Sequence, residues 1–125
     1  MNFTLLLGAV LGLTAVGAGA YAHHGIDPKD TLKVMSGVRL QQVHALVMVA
    51  LGLAFYSNLP DALVRKLKIA AGLFALGIVM FSGNIYLNYF AGFKGLSFLV
   101  PYGGMMVMAG WVVIMWAAVR HQARD

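Results

Sequence analysis

Four long stretches of this chain carry no charged residue: Phe3 to Ala22, Leu40 to Pro60, Ile69 to Phe93 and Gly95 to Val119. Each is about 20 residues or longer, the length a helix needs to cross a hydrocarbon core roughly 30 Å thick. A backbone immersed in lipid must bond its N–H and C=O groups within its own segment, so such stretches fold as helices. The period-two alternation of a membrane barrel is absent. Composition agrees, with 61% hydrophobic and 10% charged residues, against about 25% charged in a soluble chain. The 15 glycines are no obstacle, because Gly is commoner in membrane helices than in soluble ones. The expected fold class is all-α: an integral membrane protein forming an antiparallel four-helix transmembrane bundle. It is expected to be one domain over residues 1–125, with helices at about 3–23, 30–57, 67–91 and 96–119.

The first stretch has a rival reading, since Ala20-Tyr21-Ala22 fits the small-x-small pattern of a signal-peptide cleavage site. Met1 to Ala22 holds no Lys or Arg, however, and its apolar run is longer than a typical signal core. A retained helix is therefore expected. In the first connection, Asp27-Pro28-Lys29-Asp30 reads as a helix start, with Asp27 as N-cap, so the second helix is expected to begin before its charge-free stretch. Ser57-Asn58-Leu59-Pro60-Asp61 carries turn residues, and Gly92 and Gly95 punctuate the third connection. Short connections make antiparallel neighbours.

The net charge of +5 does not suggest nucleic acid, because the basic residues stand singly or in small groups between apolar runs. Cations so placed set topology and touch anionic headgroups. Arg65, Lys66, Lys68, Arg120 and Arg124 share one side; Lys29, Lys33, Arg39 and Lys94 share the other. The small excess on the first side favours both termini in the cytoplasm. The expected partners are the lipid bilayer and other membrane protein subunits. The chain has no cysteine, so disulfides and thiolate metal or iron–sulfur ligation are excluded.

Three groups of residues are candidates for more than span formation. Gly8, Gly12, Ala15 and Gly19 recur every three or four residues along helix 1. They form a smooth face of the kind that lets helices approach closely, within the chain or with another chain. A second group combines His23 and His24 at the end of helix 1 with Arg39, Gln41, Gln42 and His44 in helix 2. Ionisable groups at membrane depth are costly and turn toward the bundle interior. Leu40, Val43 and Val47 make an apolar arc suited to lipid. The polar set is open to two readings. One is a proton relay, a haem or metal ligand pair, or a headgroup site. The other, which is favoured, is a hydrogen-bond network locking helix 1 to helix 2. Histidines without a carboxylate partner in the same layer make a weak metal site, and neither a metal nor a cofactor is expected. The third group, Ser82, Asn84 and Asn88, lies within helix 3, where interhelical hydrogen bonding is the favoured role.

Several of these segments fall into an ordered pattern. Gly19-Ala20-Tyr21-Ala22-His23-His24 closes helix 1 and His44-Ala45-Leu46 lies in helix 2. Phe81-Ser82-Gly83-Asn84-Ile85-Tyr86 lies in helix 3, and Pro101 to Gly104 with Ala109-Gly110-Trp111 lies in helix 4. In this order they resemble the motifs of the small four-helix membrane proteins grouped as domain of unknown function 423, the YgdD/YwdK-like family. The doubled histidine, and Asn84 where a serine is usual, depart from that pattern. The resemblance implies four spans in a bacterial inner membrane, or a mitochondrial one in a eukaryote, and it brings no activity with it.

The leading functional expectation is an accessory or assembly subunit of a larger membrane complex. The alternatives are a small transporter or proton path using His24, Arg39 and His44, and a redox subunit holding haem or quinone between His24 and His44. Catalysis by the chain itself is not expected, because no nucleophile–base pair or carboxylate dyad is visible.

Overall fold

The computed structural model describes residues 1–122. Among these residues the chain is all-helical, with four helices long and apolar enough to cross a membrane. α1 is Phe3–His24 and α2 is Pro28–Ala54. α3 is Asp61–Phe90, interrupted by a π turn at Val79–Gly83. α4 is Val100–Arg120, led in by a 3-10 turn at Ser97–Leu99.

α1 and α2 form one antiparallel hairpin whose register is held at both ends. At one end Asn2 caps α1 by accepting from the Leu5 N–H at 3.0 Å and donates to the Gly52 carbonyl at 2.8 Å. At the other end the Thr31 hydroxyl donates to the Ala22 carbonyl at 3.0 Å. Asp27 caps α2 as expected, accepting from the Lys29 N–H at 3.1 Å with Pro28 in the first turn. The two backbones come close where they lack a Cβ: one added at Gly52 would lie 2.6 Å from the Leu5 nitrogen, and one at Gly8 2.9 Å from the Val49 nitrogen.

α3 and α4 form the second hairpin by the same device. A Cβ at Gly103 would sit 2.6 Å from the Phe81 nitrogen, and one at Gly110 would meet the Phe74 ring at 2.6 Å. Between the helices of the third connection, Gly92 adopts φ +70, a conformation open to glycine at little cost. The hairpins meet through α2 and α3. Met48, Ala70, Phe74, Ile78 and Val107 make one buried cluster, and Ala22, Val34 and Val38 a second toward the other end. α2 and α3 are the central helices, whereas α1 and α4 bury much less of themselves.

Three expectations change. α3 begins at Asp61, six residues earlier than expected, so Arg65, Lys66 and Lys68 are helical and do not belong to a loop. Pro60 at the N-cap and Asp61 in the first turn start it. The lysines are accommodated over aromatic rings, with Lys66 Nζ 4.6 Å from the Trp116 ring centre and Lys68 Nζ 5.8 Å from that of Phe55. α2 runs over residues 28–54 and ends short of the expected 57. Finally, Leu40 and Val47 do not face lipid. They pack against the core, because α2 is covered from two sides and only the strip around Gln42, Val43 and Leu46 faces outward.

Candidate functional site: a polar layer in the membrane interior

Near the middle of α2, Gln41 turns its amide inward and is 2% exposed. Its Nε2 donates to the Leu11 carbonyl and to the Thr14 hydroxyl of α1, each at 2.8 Å. Its Oε1 accepts from the Tyr86 hydroxyl of α3 at 2.6 Å. One side chain thus links three helices. One turn earlier, the Ser82 hydroxyl donates to the Gly37 carbonyl at 2.6 Å. Ser82 lies in the π turn of α3, which widens the helix by one residue locally and re-aims its side chains.

His44, one turn after Gln41, closes the link to α4. The Trp111 indole N–H donates to His44 Nε2 at 2.9 Å. An indole nitrogen can only donate, so Nε2 carries no proton and Nδ1 does. Nδ1 then donates to the Leu40 carbonyl at 2.7 Å. The imidazole is held as one neutral tautomer between the rings of Phe74 and Trp111, at 5.1 and 5.7 Å between centroids. Both of its nitrogens are engaged within the chain, and neither is free to ligate a metal or haem iron. Among the described residues no group of three or more His, Asp or Glu is placed to hold a metal ion. Every buried side-chain nitrogen or oxygen among them has a hydrogen-bond partner.

The six polar residues expected to cluster across α1 and α2 are therefore divided. Gln41 and His44 are interior; His23, His24, Arg39 and Gln42 are exposed. His24 and His44 do not meet. Ala22 lies opposite Thr31 and Leu11 opposite Gln41, so the two histidines differ in depth by about 15 residues, or roughly 22 Å at 1.5 Å per residue. The small-residue face of α1 divides as well. Gly8 and Ala15 are buried against α2 and Gly19 touches Val38, whereas a Cβ at Gly12 would meet nothing within 4 Å. In α3, Ser82 makes the interhelical bond. Asn84 donates to Met80 of its own helix at 2.7 Å, and Asn88 is half-buried outside the network. Arg124, counted for topology, lies outside the described residues.

Sequence reasoning missed Thr14, Tyr86 and Trp111. The signal was present, since a hydroxyl or indole N–H within a span must find a partner. In a solvated loop such groups would bond water; here they pair with Gln41 and His44.

Compared with known proteins, residues 18–104 match the family model described as "Protein of unknown function (DUF423)". The chain is 33% identical to the UPF0382 membrane protein YwdK of Bacillus subtilis, over 97% of this chain and 99% of that protein. It is 28% identical to a UPF0382 membrane protein of Haemophilus influenzae, over 98% of each. With the UPF0382 inner membrane protein YgdD of Escherichia coli it shares 26% identity, over 95% of this chain and 91% of that one. No solved structure matches.

Proposed function

We propose that this chain, which belongs to the DUF423 family of membrane proteins, acts by contact, as an accessory or assembly subunit of a membrane complex. The observation that carries this reading is the closure of the interior polar layer. Thr14, Gln41, Tyr86, His44 and Trp111 use their hydrogen-bonding groups on one another and on nearby carbonyls. Among the described residues that leaves no buried side-chain nitrogen or oxygen without a partner. Such a layer gives the four helices one arrangement and presents a stiff outer surface.

The surface most open to a partner is α1, which packs on α2 and leaves the rest of its circumference uncovered. Gly12 and Gly17 lie on it, and a Cβ at either would meet nothing within 4 Å. A partner helix could approach closely there. We place the protein in the bacterial inner membrane with both termini cytoplasmic, on the strength of the cation bias. Reporter fusions after Asn58 and at the C-terminus should both read cytoplasmic; an exported signal at either would reverse the orientation.

Purification from native membranes in mild detergent should recover a stoichiometric partner. Gly12→Leu should lower that recovery with a smaller effect on the thermal unfolding of the bundle, because a Cβ at Gly12 meets no atom of its own chain within 4 Å. Retention of every association in Gly12→Leu, together with ion flux or substrate turnover by the purified protein in vesicles, would overturn the reading in favour of a transporter or enzyme.

A further inference from the structure

Away from the polar layer, α1 and α3 diverge and leave a groove of about 740 Å³. Met48 of α2 forms its floor and is 1% exposed. Phe3 and Leu7 of α1 make one wall, Gly72 of α3 belongs to the other, and Phe55 and Lys68 also line it. Among the described residues no Asp or Glu lines it. Phe3 is 71% and Leu7 41% exposed, so the groove opens sideways toward the bilayer.

The placement of Lys68 gives the groove a direction. Lys68 is seven residues into α3, about 10 Å from its start at 1.5 Å per residue. Its long stem can carry the ammonium outward to the headgroup level while the methylenes stay in apolar surroundings. Nζ lies 5.8 Å from the centre of the Phe55 ring and makes no salt bridge among the described residues. A cation with no acid beside it among the described residues, on the lining of a largely apolar groove, complements a molecule with an anionic head and hydrocarbon tails.

We propose that this groove binds an anionic phospholipid, with its acyl chain against Met48 and Gly72 and its phosphate at Lys68. The chain enters only as far as Met48, short of Gln41 and His44, so the site is separate from the polar layer. Its occupancy does not depend on the protein having a subunit partner. A bound lipid would fill the gap between α1 and α3 and join the two hairpins where side-chain packing does not.

Native mass spectrometry of the full chain in detergent tests this, with phosphatidylglycerol and phosphatidylcholine of identical chains offered together. The wild type should retain phosphatidylglycerol preferentially. Lys68→Gln should lower that preference about fivefold, the effect of one cation near the membrane surface. Gly72→Leu should reduce binding of both lipids, since its side chain enters the groove and its Cβ meets nothing within 4 Å. Gly104→Leu, also in open space but on α4, should change neither. Phosphatidylglycerol carrying a photoactivatable group in its chain gives a second readout, needing no variant: labelling should concentrate on Leu7 and Gly72. Equal retention of the two lipids, an unchanged preference in Lys68→Gln, or labelling spread over the outer face of α4 would overturn the proposal. So would a lipid-independent dimer that Gly72→Leu abolishes, which would make a second copy of the chain the occupant.

Discussion

Replacing Gln41 with leucine tests whether the polar layer holds the helices together. The substitution removes three hydrogen bonds, to the Leu11 carbonyl, the Thr14 hydroxyl and the Tyr86 hydroxyl. Interhelical bonds in membranes average about 0.6 kcal/mol and reach about 1.7, so the direct loss is about 2 kcal/mol. The consequences for the three partners differ. Leu11 keeps its own helical bond. Thr14 can still donate to the Val10 carbonyl at 3.0 Å. Tyr86 is left with a hydroxyl in an apolar interior and no alternative acceptor in its own network, which adds a penalty of about 1 kcal/mol or more. A second substitution, Tyr86→Phe, should therefore have opposite signs in two backgrounds. In the wild type it removes one bond and destabilises by roughly 0.6–1.7 kcal/mol. In Gln41→Leu it removes a stranded hydroxyl, and should be neutral or stabilising. Unfolding in mixed micelles, followed by helicity for all four members of the cycle, measures this directly. If the two effects simply add, or if Gln41→Leu costs less than about 0.5 kcal/mol, the layer does not bind α1, α2 and α3 as described.

Adjacent glycines in α4 should behave oppositely. Gly103→Ala, whose Cβ would lie 2.6 Å from the Phe81 nitrogen, should force α3 and α4 apart and destabilise by about 1–3 kcal/mol in the same assay. Gly104→Ala meets nothing within 4 Å and should be neutral or mildly stabilising. Nitrogen NMR of labelled histidine should show His44 as the Nδ1-protonated tautomer, and Trp111→Phe should release Nε2 and shift its resonance. At the end of α4, partial desolvation lowers the pKa of His121 below its ordinary 6.5, and Lys66 and Arg120 lower it further. The folded state thus favours neutral His121, whose Nε2 accepts from Lys66 Nζ at 3.1 Å. This contact contributes at pH above the unfolded value and is lost as pH falls through the lower folded one. The NMR midpoint of His121 should lie below 6.5 and move up in Lys66→Gln.

The legible part of the site was its chemistry, and the illegible part its geometry. Gln41 and His44 stood out because polar groups within a span must be satisfied. Their partners did not, since Thr14, Tyr86 and Trp111 are 27, 45 and 67 residues away along the chain. Both histidines lie near one end of a charge-free stretch, which by itself predicts a shared depth. α2, however, runs from Pro28 to Ala54, which places His44 about one turn past its midpoint, far in depth from the end of α1.

The sequence by itself determined the span count, the antiparallel order and the start of α2 at Asp27-Pro28. Each of these follows from local requirements: a charge-free length, backbone bonds closed within a segment, a capping side chain. Only the tertiary structure decided which face of each helix turns inward: Gly8 and Ala15 but not Gly12, Leu40 and Val47 but not Val43. Lipid tails are as apolar as leucine, so an apolar face gains nothing by leaving them, and the rotation of each helix is settled by close backbone contact and by shared hydrogen bonds. Those depend on pairs of residues from different helices, and no single stretch of sequence displays them.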